Sequence, residues 1–350
     1  MSKFTTALVA LGMTAAATAQ APTLSISIGL RETGFAGVPF TQPGDNGGTT
    51  GGIEWVNRDA QTLTIDGTWQ QFTFDLGNDP ITAFAGSTAN GVLEGTHGTL
   101  EHIRVLNSGG FTGPITLWID DVTNQYQDPA SGPTTVNFGT FSGYNDGDEV
   151  MFQEPGFSGS TSSNVIPGGT SGVDNFSASR SASCRFDLQF VDGAPTRWCR
   201  LTTFNARNQP NSFVKFDQGS TVTFWMRAGV QQQNLGSQGP GTAIAEMVGT
   251  GLLVGQTSTF YTSGAPAAAP GALLVSFPGQ PDFPILGGNL VSGTGLVFSV
   301  GLASDLDGRT SLTFPGTATV LDLVWQAGFL DVTQPFLTTF TNAVQVAYGQ

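Results

Sequence analysis

Apolar residues in this chain recur with a period of two. Leu24, Ile26, Ile28 and Leu30 alternate with Ser25, Ser27 and Gly29, and Phe72, Phe74 and Leu76 share one parity within Trp69–Leu76. Successive side chains of a strand point to opposite faces, so this pattern marks strands with one buried face. No long stretch places apolar residues at 3.6 spacing among good helix formers, so helices are not expected. Composition agrees: 48 Gly in 350 residues and only 11% charged residues suit many short strands joined by turns. The expected fold class is all-β, built as sandwiches.

The N-terminus reads as an export leader. Lys3 precedes the apolar run Phe4 to Met13, and Ala17-Thr18-Ala19 matches the small-x-small pattern of a cleavage site. Cleavage after Ala19 would leave Gln20 first and direct the chain to a secreted, extracellular or cell-surface location. No later segment approaches the ~20 consecutive apolar residues of a membrane span. The net charge is -14, and Lys215 is the sole lysine beyond Lys3. So acidic a chain has no general field for phosphate backbones, which argues against nucleic acid and anionic membranes as partners.

Strands are expected at Leu24–Leu30, Gly52–Val56, Thr62–Ile65, Trp69–Leu76, Leu100–Leu106 and Ile115–Val122. A polar connection, Gln125–Pro133, leads to a second stretch: Val136–Phe141, Glu149–Gln153, Cys184–Val191, Thr196–Phe204 and Thr221–Arg227. Pro155–Gly172, rich in Ser, Gly and Thr, reads as a functional or mobile loop. Residues 230–243 carry Gln-Gln-Gln, Gly and Pro and read as a linker. Six further strand patterns between residues 244 and 350 predict a C-terminal β-sandwich. Cys184 and Cys199 flank Asp192-Gly193-Ala194-Pro195, a turn sequence, so they are expected to face each other across a hairpin. In an oxidising compartment they would form a disulfide, the alternative being two buried thiols.

Residues 20–229 resemble the galactose-binding-like jelly-roll modules with which secreted bacterial proteins bind carbohydrate. The likeness rests on Arg31-Glu32-Thr33, Gly52-Ile53-Glu54-Trp55-Val56, Gly67-Thr68-Trp69-Gln70-Gln71-Phe72, Leu100-Glu101-His102-Ile103 and Trp118-Ile119-Asp120-Asp121-Val122. It continues in Val150-Met151-Phe152-Gln153, Arg197-Trp198-Cys199-Arg200-Leu201-Thr202-Thr203 and Val222-Thr223-Phe224-Trp225. The order is rotated: the half that closes such a module (20–128) comes first, and the opening half (134–229) follows. This suggests one circularly permuted jelly roll, the alternative being two small sandwiches. The remaining stretch is similar to terminal β-sandwich modules of secreted proteins of environmental bacteria, through Ile285-Leu286-Gly287-Gly288, Asp305–Gly308, Val324-Trp325-Gln326-Ala327 and Thr341-Asn342-Ala343-Val344. That likeness implies a surface or spacer role.

Aromatic rings stack on sugar faces, and charged side chains hydrogen-bond sugar hydroxyls. Trp55 and Trp198 sit beside charged residues and are the candidate platforms, with Arg31, Glu54 and Arg200 as the polar rim. Trp69 and Trp118 are expected in the core. The resemblance further implies a structural Ca²⁺ where first and last strands meet. Asp120, Asp121, Asp146, Asp148 and Glu149 are the oxygen ligands on offer, although Gly139 and Thr140 stand where such sites usually supply an acid. His97 and His102, beside Glu94 and Glu101, could be drawn as a metal site. Regular alternation would instead put Leu100, His102 and Arg104 on one strand face, as packed or hydrogen-bonded residues. No nucleophile elbow is present; Glu32, Glu54 and Glu101 are the carboxylates a hydrolase would have to use. The leading expectation is non-catalytic binding of extracellular polysaccharide. The alternatives are a structural or adhesive surface protein and a polysaccharide-degrading enzyme.

Overall fold

A computed structural model describes residues 22–33, 52–94, 97–111, 113–139, 141, 151–166, 171–174, 183–191, 197–203, 213–216, 219–249, 257–316 and 321–348. The protein is nearly all β: 62% of the described residues lie in strands and none in an α-helix. The leader lies outside them, and no described helix is long and apolar enough to cross a membrane.

Twelve strands form the first unit. They are β1 (Thr23–Thr33), β2 (Ile53–Thr64), β3 (Gln70–Asp75), β4 (Ile81–Ala85), β5 (His97–Leu106) and β6 (Ile115–Asp128), followed by β7 (Gly132–Gly139), β8 (Ser171–Asp174), β9 (Ser183–Leu188), β10 (Trp198–Thr202), β11 (Phe213–Lys215) and β12 (Thr221–Val230). One sheet runs β10-β5-β1-β2-β4 with β11 also on β5; the other runs β3-β12-β6-β9-β8 with β7 on β6. The strand ladders are antiparallel. Both stretches of the sequence supply strands to both sheets, and one apolar cluster fills the space between them. Leu24, Ile26, Ile28 and Leu30 meet Phe72, Phe74, Leu117, Ile119, Phe186 and Phe224 there. Each such side chain, fully buried, contributes about 1.5–3 kcal/mol.

The unit's two ends meet. Ile65 N–H donates to Pro22 O at 2.9 Å, and Gly67 N–H donates to Ala228 O at 2.8 Å. At the opposite point in the sequence, Gln125–Pro133 is no open connection. It is a hairpin in which Asp128 pairs with Gly132, its turn held by the Ala130 and Ser131 N–H groups on Asp128 Oδ1.

The second unit comprises β13 (Gln232–Ser237), β14 (Ile244–Gly249), β15 (Thr257–Ser263), β16 (Pro270–Ser276), β17 (Phe283–Ile285), β18 (Gly288–Leu290), β19 (Leu296–Ala303), β20 (Thr310–Pro315), β21 (Leu321–Leu330), β22 (Thr338–Phe340) and β23 (Asn342–Tyr348). A sheet ordered β13-β23-β21-β16-β19 and a three-stranded sheet β14-β15-β20 pack around Phe260, Leu273, Trp325 and Phe329. The segment 230–243 is therefore corrected. It contains a strand of this sheet, because Gln232, Gln233 and Asn234 pair with Val346, Gln345 and Val344.

The hairpin disulfide is also corrected. Cys184 on β9 lies opposite Ile119 in one sheet, and Cys199 on β10 lies opposite Val105 in the other. Both thiols are free and buried in the core. Burial pushes Cys184 far up, and it pushes Cys199 to about 12 against a smaller pull from Arg104, so neither carries reactive thiolate. Trp118 is corrected in position as well. It is buried, but on the outward face of its sheet under the Arg227 guanidinium, 4.1 Å from the ring centroid. Arg227 then reaches Glu246 Oε2 of the second unit at 2.7 Å. Trp69 shares the same cation, at 5.3 Å.

Candidate functional site

Strand parity builds two different surfaces at one end of the first sheet. On β1, Leu30 and Glu32 face the core side and Arg31 faces outward. On β2, Val56 and Glu54 share the core side and Trp55 points outward. The core-side carboxylates hold the loop that follows β4. Glu54 accepts the N–H groups of Asn90 and Gly91 at 2.7 and 3.0 Å. Glu32 accepts the Glu94 N–H at 2.6 Å. Burial pushes the Glu54 carboxyl up, and those two N–H donors pull it partly back. Glu54 is thus a loop anchor, placed on the face opposite Trp55.

The outward face gathers aromatic rings and arginines. Trp55 is 6% exposed and stacks on Phe84 of β4, with ring centroids 4.2 Å apart and planes 15° from parallel. Trp198 of β10 stands edge-on to both rings, at 5.4 and 5.7 Å. Arg104 lies 4.9 Å from the Trp55 ring and 5.2 Å from that of Trp198. Arg58 is 4.8 Å from Trp55, and Arg200 is 5.4 Å from Phe84. Trp55 is therefore enclosed, whereas Phe84 and Trp198 are half-buried and border solvent. Cation–ring contacts of this kind contribute about 0.5–2 kcal/mol each.

Two irregularities make the arrangement possible. Opposite β1, the register passes from Gly29↔His102 to Leu30↔Leu100. This bulge at Glu101 sends Leu100 into the core and His102 outward, against the regular alternation expected from the sequence. Gly29 leaves room for the imidazole: a Cβ there would lie 2.1 Å from His102 Cε1. On β2, residues 57–60 loop out of the pairing with β1, between Val56↔Ile28 and Gln61↔Ile26. Asn57 and Asp59 take the positive φ values of 51° and 61° that this needs. The excursion carries Arg58 and Asp59 over the face.

His102 is fully buried, and both ring nitrogens are used. Trp55 Nε1–H donates to Nε2 at 2.9 Å, so Nε2 is bare and the proton sits on Nδ1, which contacts Glu101 Oε2. Burial pushes His102 below its ordinary range and keeps it neutral. Burial alone would raise the Glu101 carboxyl, but His102 and Arg200 outweigh it and hold the group at about 2. Arg200 reaches Glu101 Oε1, and Arg31 lies 3.7 Å from the same oxygen. Asp59 is likewise shared, by Arg104 and by Arg58 at 3.3 Å. The segment after Phe152 packs beside β10: Ser158 and Ser160 hydroxyls each accept from Arg200 at 3.3 Å, and Asn164 Nδ2 donates to Trp198 O at 2.9 Å.

The expected rim is thus divided. Arg31, Trp55, Trp198 and Arg200 come together and Glu54 lies on the other face; Phe84, Arg58, Asp59 and Arg104 join unforeseen, and Glu101 and His102, singled out only for metal or hydrolytic roles, join them. Phe84 was missed because Ile81–Ala85 is a short strand without clear alternation. The acidic cluster is only partly described. Asp120 is buried with Oδ1 accepting the Asp121 N–H at 2.8 Å, while Asp146, Asp148 and Glu149 lie outside the described residues. Among the described residues no group of three or more His, Cys, Asp and Glu is placed to hold a metal ion. Compared with protein-family models and with curated proteins, the chain matches none.

Proposed function

We propose that this chain is an exported, non-catalytic carbohydrate-binding protein. The observation that carries the reading is the outward face of the first sheet, where half-buried Phe84 and Trp198 stand beside Arg200 and Arg31. Rings supply stacking surface for a sugar and guanidinium groups supply donors for its oxygens. Both ring positions are fixed from beneath, Phe84 by Trp55 and Trp198 by Arg104, so little ordering is required when a ligand arrives. Glu54 spends both oxygens on backbone N–H groups and Glu32 spends one, and Glu101 is held by His102 and Arg200. This favours binding over hydrolysis by paired carboxylates. A glycan array with the secreted chain tests the reading, with Trp198→Ala and Phe84→Ala alongside. Hits weakened about fivefold or more by either variant, with the circular dichroism spectrum retained, support it. An array without hits sinks it in favour of a scaffold protein.

A further inference from the structure

The chain carries 12 basic residues against 26 acidic ones, yet four of the 12, Arg31, Arg58, Arg104 and Arg200, lie on this single face. Among the described residues two acidic side chains pair with them, and each is divided between two guanidinium groups. Glu101 is shared by Arg31 and Arg200, and Asp59 by Arg58 and Arg104. His102 adds no charge, since its Nε2 accepts the Trp55 N–H. Glu32 and Glu54 belong to the other face of the sheet, under the loop at Asn90–Glu94. Counted over the described residues, the face holds two more guanidinium groups than carboxylates, within a molecule whose formal net charge is -14. A neutral sugar would need no such surplus.

The surplus is also reachable. The Arg58 side chain is 46% exposed, and Arg31 and Arg200 keep 12% and 13%. Desolvated like charges repel, so crowding four cations on one sheet face costs stability unless an anion completes the set. The planar guanidinium fork matches a carboxylate in two-point contact, the geometry best suited to recognition of such a group. At physiological salt the field of distant acidic residues is screened beyond about 8 Å, so the local surplus governs what binds here.

Resting on the carbohydrate reading above, we propose that the sugar this face takes is acidic: a polysaccharide of uronate type. Its rings lie against Phe84 and Trp198, and its carboxylates against Arg58 and Arg200. The test titrates the full secreted chain, by calorimetry, with a panel of uronate polymers, their methyl esters, a sulfated galactan and neutral polysaccharides. The expected result is at least about tenfold tighter binding of one uronate polymer than of its ester, weakening as salt rises. Arg58→Gln, at an exposed position, should lower affinity for the acid about fivefold and leave the ester unaffected. Arg200→Gln should act more strongly, with unfolding measured in parallel. Equal affinity for acid and ester, preference for the sulfated polymer, or binding of neutral glycans alone would overturn the uronate assignment and leave the carbohydrate reading intact. Binding to no polysaccharide would overturn both.

Discussion

Glu101 shows how one buried side chain ties stability to pH. In the unfolded chain its carboxyl takes up a proton near its ordinary 4.5, but in the folded protein only near 2. The folded state therefore loses stability as pH falls from 4.5 towards 2, and the term is fully present above 4.5. His102 acts in the same direction, because its depressed folded value means that the unfolded imidazole protonates first as pH falls below about 6.5. Glu101→Gln should flatten the acid limb between pH 4.5 and 2 in urea unfolding. At neutral pH it should cost about 3–5 kcal/mol, since Arg31 and Arg200 lose a buried counter-charge. An unchanged acid limb would show that Glu101 is not the titrating group. The cysteines give a second prediction. A thiol reagent should find none reactive in the native protein and both reactive after denaturation without reductant; a native reaction would contradict their burial in opposite sheets.

The site depends on departures from regular strands. The bulge at Glu101 and the looped residues 57–60 turn side chains that strict alternation would hide or scatter into one face. The loop after β4 is held differently, by buried carboxylates beneath the sheet. Its Asn90 and Gly91 N–H groups end on Glu54, and Gly52 N–H donates to Thr88 Oγ1 at 2.7 Å. Glu54→Ala should leave those amides without their acceptor, costing about 1–3 kcal/mol. Hydrogen exchange should then quicken at Asn90 and Gly91 while the β6 amides stay protected. Uniform quickening through the sandwich would mean that Glu54 supports the fold at large rather than this loop.

Across the whole molecule, the first unit is one core assembled from two sequence stretches. β10 and β11 pair with β5, and β9 and β12 pair with β6, so neither stretch can bury its apolar faces alone. Separating them would expose residues such as Phe74, Leu117, Phe186 and Phe224, each a loss of about 1.5–3 kcal/mol. A protease site placed in the Asp128–Gly132 turn should thus be cut without dissociation, the two fragments eluting together under native conditions. Free release of the N-terminal fragment would show two independent folds. The second unit docks through charge: Arg227 bridges Trp118 to Glu246, and the Arg185 guanidinium reaches Gln232 O.

Much of the strand content was legible because period-two patterns report burial directly. Leu24–Leu30, Ile115–Val122 and Thr221–Arg227 lie in strands β1, β6 and β12, and Phe72–Leu76 lies in β3 except for Leu76. Strands with weak alternation, such as β4 and β13, were not legible, and one of them carries Phe84. Of the site, Trp55, Trp198, Arg31 and Arg200 could be named from their polar neighbours. Their partners could not, because Phe84, Arg104 and His102 meet them only through contacts across 29 to 116 residues of chain. The cysteines mark the boundary most clearly. Their spacing and the intervening turn residues describe a hairpin well, yet β9 and β10 each find a better partner, β6 and β5. Local sequence thus determined that this chain is made of strands and which side chains want burial. Tertiary structure alone decided which strands pair, and hence which arginines and rings share a face, since pairing energy is gained between residues that no local pattern relates.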